Sequence, residues 1–253
     1  KEELEKQFGL DRWYVANVAE DADIDVAART LAESNKVSLV EYDIKMKLAT
    51  DGLTFPYEGP VTAPATRAAM SDLGFNDPLI AEQWNYYNLG DLSIASSAYA
   101  GADINIKDTW KTLTAGDPSV IVAVVDQGVD YTHPDLVPNM WVNEAEKNGK
   151  PGVDDDGNGY VDDVHGYNFV DGEGDINYDK SQDFDTGHGT HCAGIIGAVN
   201  NNGIGMAGVA GGTGNNDGVR IMSCQIFSKG YGGETRYSSR AIKYAADNGA
   251  SVI

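Results

Sequence analysis

The stretch that most narrows the possible fold is Ser119 to Asp130, SVIVAVVDQGVD. Residues 120–125 form an unbroken apolar row, mostly β-branched. A strand with one wet face alternates apolar and polar residues. A row without alternation suits a strand buried on both faces, as in a parallel sheet covered by helices on either side. Such sheets gather their functional groups at the carboxyl ends of the strands, and this strand ends in Asp126 and a glycine turn.

The neighbouring segments fit the same architecture. GVRIMSCQIF (Gly218 to Phe227) reads as a second strand and SSRAIKYAADNGA (Ser238 to Ala250) as a helix after a loop. The final SVI begins a further strand. INIKDTWKTLTAG (Ile104 to Gly116) has helical apolar spacing closed by a glycine and a proline. The first part of the chain reads as a separate small α+β unit. RWYVANV (Arg12 to Val18) is strand-like, DVAARTLAE (Asp25 to Glu33) is helical, and VSLVEYDIKMKL (Val37 to Leu48) returns as strand, all preceded by KEELEKQF, which reads as the end of a helix. From Ala49 to about Asp77 the residues turn to Gly, Pro, Thr and Ala without a period, as in an exposed linker. The expected class is therefore α/β, a parallel sheet flanked by helices, with a small α+β module in front.

Charge and cysteine content remove several function classes. The formal net charge of −21 would repel a nucleic-acid backbone or an anionic membrane surface. No apolar run approaches the roughly 20 residues of a membrane span, and Lys1 starts no recognisable signal peptide. Cys192 and Cys224, the only two cysteines, rule out a disulfide framework; two buried thiols or a single bridge remain open.

The chemistry-bearing stretch is DTGHGTHCAGIIG, Asp185 to Gly197. A buried strand ending in Asp126 and a glycine-flanked His188 opening an apolar helix suggest a carboxylate orienting an imidazole. The aspartate would hold the ring tautomer while the imidazole moves a nucleophile's proton. On spacing alone, a helix whose histidines satisfy local hydrogen bonds explains the stretch equally well. Gly203, Gly205 and Gly208 spell GxGxxG but follow an apolar helix rather than a strand, so a dinucleotide site is rejected. His188 and His191 lack the HExxH spacing and glutamate of a zinc protease. Cys192 lies one turn from His188 in an apolar flank that favours an inert thiol.

An acidic stretch between the two motifs, DDDGNGYVDDVHGYNF (Asp154 to Phe169), suggests a cation site. Asp154, Asp156 and Asn158 alternate, Gly159 permits a sharp turn and the Tyr160 carbonyl follows, like the first half of an EF-hand loop. The twelfth position is His165 rather than glutamate, so Asp162 or Asp163 would close the shell around Ca2+.

Whole motifs add a resemblance to these readings. VIVAVVDQGVDYTHPDL and DTGHGTHCAGIIGAVNNNGIGMAGVA resemble the aspartate and histidine motifs of the subtilisin-like serine proteases. The resemblance implies a subtilisin-like sheet in which Asp126 is the triad aspartate and His188 the general base, with His191 structural and His133 not catalytic. Gln127 departs from the Thr or Ser usual after that aspartate. Residues 1–48 resemble part of an I9-type propeptide, an intramolecular chaperone and inhibitor. Residues 49–75 would hold the processing region, and 76–253, from NDPLIAEQWNY onward, the first part of the catalytic domain. The resemblance also implies structural calcium. Besides the acidic loop, it points to Asp135 with the loop Val199 to Met206, through Val199, Asn201 or Asn202, Ile204 and Met206. It places a peptide substrate, bound as an added strand, along Tyr231, Gly232, Gly233 and Glu234, where Glu234 hints at basic or neutral partners. The family's oxyanion asparagine and GTSMA-like nucleophile motif do not occur in these residues. Ser223, Ser228, Ser238, Ser239 and Ser251 all lack that context, so the serine is expected beyond Ile253, in the remaining part of the catalytic domain. The expected protein is a secreted or cell-envelope endopeptidase zymogen. An inactive pseudoprotease or peptide-binding module is the rival, and a calcium-binding adhesion domain a third reading.

Overall fold

The computed structural model describes residues 6, 12–46, 73–91, 99–176, 187–227 and 234–253. Its centre is a parallel sheet of β1 (Ile121–Asp126), β2 (Gly166–Asn168) and β3 (Arg220–Gln225), in the order β1-β3-β2. β1 lies in register with β3 from Ile121 opposite Arg220 to Asp126 opposite Gln225. Val252 pairs with Val122 as a parallel bridge, so the terminal SVI does meet the sheet on the free side of β1.

The unalternating apolar row has the expected cause. On one face, Ala123, Met222 and Cys224 pack with Ala241, Tyr244 and Ala245. On the other, Val124 and Ile221 pack with Ala193, Leu136 and Met140. Ala241, Tyr244 and Ala245 belong to α5 (Thr235–Asp247), where their spacing makes one helical face. Ala193 belongs to α4 (His188–Gly197), which buries Gly189, Ala193 and Gly197, one small residue per turn. The small residues let α4 lie close to the sheet, and a Cβ at Gly197 would already press on Ile221. The two cysteines follow this division. Cys224 faces α5, Cys192 packs on the α4 side, and both are free thiols.

A third cluster anchors residues 73–115. Leu73, Ile80, Tyr86 and Trp110 pack with Ala207, with Trp110 carried by α2 (Lys107–Thr112). Tyr86 Oη and Gln83 Nε2 both donate to the Ala207 carbonyl, at 3.0 and 2.8 Å. α2 is shorter than the 104–116 pattern suggests, because Asn105 takes a positive φ of 54° just before it and Leu113 ends it. α5 starts at Thr235, earlier than the apolar spacing indicated, because a distant segment supplies its first-turn hydrogen bonds.

That segment belongs to the N-terminal unit. α1 (Ile24–Glu33) forms as expected, capped by Asp23, whose carboxylate accepts from the Asp25 and Val26 amides. The flanking strands do not form ladders among the described residues. Residues 13–18 form no regular element, and in 37–46 only Lys45 pairs, as an antiparallel bridge to Glu234. A strand exists by its partners, and among the described residues these stretches have almost none. The linker reading, Ala49 to about Asp77, falls largely on residues 49–72, which lie outside the described residues, as does most of KEELEKQF; at its end Leu73 and Asp77 are buried, each 2% exposed.

Candidate active site

Asp126 closes β1 and His188 opens α4, so sheet and helix bring the two motifs together across 62 positions of sequence. The His188 Nδ1 lies 2.9 Å and 2.7 Å from the two Asp126 carboxylate oxygens. This bifurcated contact selects the tautomer with the proton on Nδ1 and leaves Nε2 as the acceptor. The side chains are 35% and 13% exposed, an imidazole reachable from solvent over a mostly shielded carboxylate.

Three further contacts fix the geometry. The Gln127 amide donates to Asp126 Oδ1 at 2.7 Å, steadying the carboxylate from its own turn. The Asp130 amide donates to Thr190 Oγ1 at 2.9 Å, tying that turn to the first turn of α4. Gly189 lies against the Gly128 carbonyl so closely that any Cβ would collide with it, which explains glycine after the histidine. Gly187, before it, sits in the left-handed region at φ 67° and offers α4 no side-chain cap.

Cys192 Sγ is 3.8 Å from His188 Nδ1. Burial first, and the Asp126 charge second, push its thiol up, while burial pushes Cys224 up to about 12. Both remain protonated at neutral pH, as the apolar flanks implied. His133 Nδ1 accepts from the Asp135 amide, and His165 Nδ1 contacts the Trp141 carbonyl, so neither joins the dyad. His191 lies exposed on α4.

The acidic loop is built differently from its sequence reading. Asp154 and Asp156 come together with Glu146, which sits on the short helix α3 (Glu144–Lys147); one carboxylate oxygen from each lies within 4.8 Å of the others. Asn158 donates to Asp156 and Asp163, and its Oδ1 accepts the Tyr160 amide at 2.7 Å. Asp163 is turned inward. It is fully buried and accepts from Asn143, Asn158 and the Tyr244 hydroxyl. Burial raises its carboxyl to about 6 against the pull of those three donors. Asp163 thus ties the loop to α5 through Tyr244. Glu146 was missed because EAEK reads as an ordinary exposed turn of helix. Its carboxylate instead accepts the amides of Asp155, Asp156 and Asp162.

At the second cluster, Asp135 accepts from Asn202 Nδ2 at 2.7 Å and from the Met206 amide at 3.1 Å, while the Val199 amide donates to its carbonyl. Asn201 does not join it: at φ 59° its side chain turns to the Thr213 carbonyl, and Asn202 takes the place. The Ile204 amide donates to Asn202 Oδ1. Asp77 also reaches this loop, accepting the amides of Asn201 and Asn202, and burial raises the carboxyls of both Asp77 and Asp135. Asp77 lies 124 positions before Asn201, and no local pattern joins them.

Tyr231, Gly232 and Gly233 lie outside the described residues. Glu234 precedes α5 and is not a bare acid: Arg236 pairs with it at 2.6 Å, which weakens the charge that hinted at basic partners. Arg236 also pairs with Asp43 at 3.2 Å.

The subtilase family (peptidase S8) matches residues 117–253. The chain is similar to Subtilisin-like protease 1 of Plasmodium vivax, 40% identical over 155 residues, covering 60% of this chain and 23% of that protein. It is similar to the halolysin-like extracellular serine protease Nep of Natrialba magadii, 32% identical over 178 residues, covering 70% of this chain and 25% of that protein. It is similar to the thermophilic serine proteinase of Bacillus sp. strain AK1, 36% identical over 183 residues, covering 70% and 37%. The solved serine protease of Aeromonas sobria aligns at a TM-score of 0.48 and 23% identity, over 78% of this chain and 26% of that one. The chain thus spans between 23% and 37% of the length of these three curated relatives.

Proposed function

The chain belongs to the subtilase family, and from that premise we propose that the protein hydrolyses peptide bonds as a serine endopeptidase. The observation that carries this reading is the His188 Nδ1 contact to both Asp126 oxygens, at 2.9 and 2.7 Å, at the carboxyl end of a parallel strand whose centre is buried. Asp126 keeps the proton on Nδ1 and stabilises the imidazolium. His188 Nε2 takes the proton of a serine hydroxyl and returns it to the leaving amine. The serine is supplied by the protein outside residues 1–253, a reading supported by the fraction of its relatives that the chain spans.

The N-terminal unit acts as an intramolecular inhibitor in this proposal. Its support is the docking of residues 43–46 on the start of α5, including the antiparallel Lys45–Glu234 bridge beside the segment expected to pair with substrate. Secretion is proposed from the extracellular relative and the acidic charge. The donor chemistry of both acidic clusters fits a hard cation: Glu146, Asp154 and Asp156 at one, Asp77, Asp135 and the 199–206 loop at the other. Bound calcium there would neutralise the clustered carboxylates and hold the loops, and the reaction itself passes through no metal.

The test is active-site labelling of the full-length protein with a fluorophosphonate, read by intact mass. One probe mass gained, and lost in His188→Ala, is expected. No gain in the wild-type protein even after limited proteolysis has removed the inhibitory N-terminal unit would mean that the dyad serves no nucleophile and that the rival pseudoprotease reading holds.

A further inference from the structure

Gln127 touches both members of the dyad. Its amide donates to Asp126 Oδ1 at 2.7 Å, and its side-chain Oε1 accepts the backbone amide of His188 at 3.3 Å. The second contact answers a need of α4. The first amides of a helix have no partner within the helix; a capping side chain just before it ordinarily takes those of the second or third residue, and the amide of the first needs an acceptor from elsewhere. Here the preceding residue is Gly187, which has no side chain and lies in the left-handed region. The missing acceptor comes from the end of β1, 61 positions away. The glutamine is buried and part of the same turn as Asp126, so its oxygen is held as firmly as the strand itself.

We propose that Gln127 is a positioning residue, a helix cap supplied from the strand that fixes the backbone of His188, and hence its ring, over the Asp126 carboxylate. The Asp130–Thr190 bond and the Gly128–Gly189 approach hold the rest of the first turn, and Gln127 holds the one amide that belongs to the histidine itself. A residue with a short side chain at 127 cannot make this contact, because the acceptor stands at the far end of the glutamine. This role rests on the protease reading only for its kinetic consequence; the geometric claim concerns the dyad alone.

Two variants of the full-length protein separate the possibilities. Gln127→Met keeps length and burial but removes the acceptor; Gln127→Glu restores an oxygen at the same reach. The first readout is the low-field proton resonance of His188 Nδ1–H, which exists with or without turnover. The expected result is that it broadens or disappears in Gln127→Met and returns in Gln127→Glu. The second readout is peptide hydrolysis, where kcat is expected to fall about tenfold in Gln127→Met with KM changed less than about twofold, since orientation and not binding is lost. A resonance unchanged in Gln127→Met overturns the positioning role whatever the activity. A normal resonance pattern of loss and rescue in a protein that hydrolyses nothing supports the positioning role and refutes the protease reading instead.

Discussion

The N-terminal unit and the sheet body obey the same local rules and reach different ends. α1 is well formed: Asp23 caps it, and apolar residues recur at helical spacing. Yet it buries none of them, and Ile24 and Val26 are each 56% exposed. α5 has a comparable apolar stripe, but Ala241, Tyr244 and Ala245 are fully covered by the sheet. The difference teaches that capping and periodicity make a helix, while stability comes from the surface that covers it. The two regions meet through residues 43–46. There the Arg236 amide donates to Asp43 Oδ1 at 3.0 Å, and Thr235 exchanges bonds with Ile44, so the N-terminal unit supplies the cap that α5 lacks of its own.

Truncating the two stripes should give the widest contrast. Tyr244→Ala removes a fully buried ring packed edge-on to Tyr160 and Phe169, together with the Asp163 hydrogen bond, and should cost about 3–5 kcal/mol. Ile24→Ala, on the exposed stripe, should stay within about 0.5 kcal/mol. Urea unfolding of both variants checks this; equal losses would mean that α1 has a covering partner and is no longer a contrast to α5.

Calcium should act on the body and spare the N-terminal unit. If the acidic clusters hold it, saturation at about a hundred times Kd contributes about 2.7 kcal/mol per site. Chelation should lower the thermal transition and speed amide exchange in 144–163 and 199–206, leaving α1 unchanged. A transition indifferent to chelator and to added calcium would sink the calcium proposal.

A smaller effect than the loss of calcium concerns the junction. Asp43→Ala deletes one cap and one half-exposed ion pair, which should loosen the N-terminal unit by roughly 1 kcal/mol. Limited proteolysis should then cut within 12–46 several-fold faster while residues 117–253 resist. An unchanged cutting rate would show that the bridge through Lys45 and Ile44 suffices without the charge.

The buried strand, its terminal Asp126 and the helix opened by His188 were all legible because each is a local pattern: an unbroken apolar row, a turn, a run of small residues. Legibility failed where a partner is remote or a side chain turns inward. Asp163 stood in a row of acids and could not be told from its neighbours, although it alone lies under Tyr244. Glu146 hid in an ordinary-looking turn of helix. The strand patterns at 12–18 and 37–46 are propensities that, among the described residues, find only the one bridge from Lys45 to Glu234.

By itself, then, the sequence determined the layered α/β body and, through whole motifs that resemble those of one family, which aspartate and histidine to pair. The tertiary structure alone decided that Asn202 rather than Asn201 faces Asp135, that Arg236 pairs with Glu234 and that the Gln127 side chain accepts the amide of the histidine. The physical reason is range. Periodicity and turn chemistry act over a few residues, whereas the bonds that join Gln127 to His188 and Asp43 to Arg236 span 61 and 193 positions and exist only once the core has docked its layers.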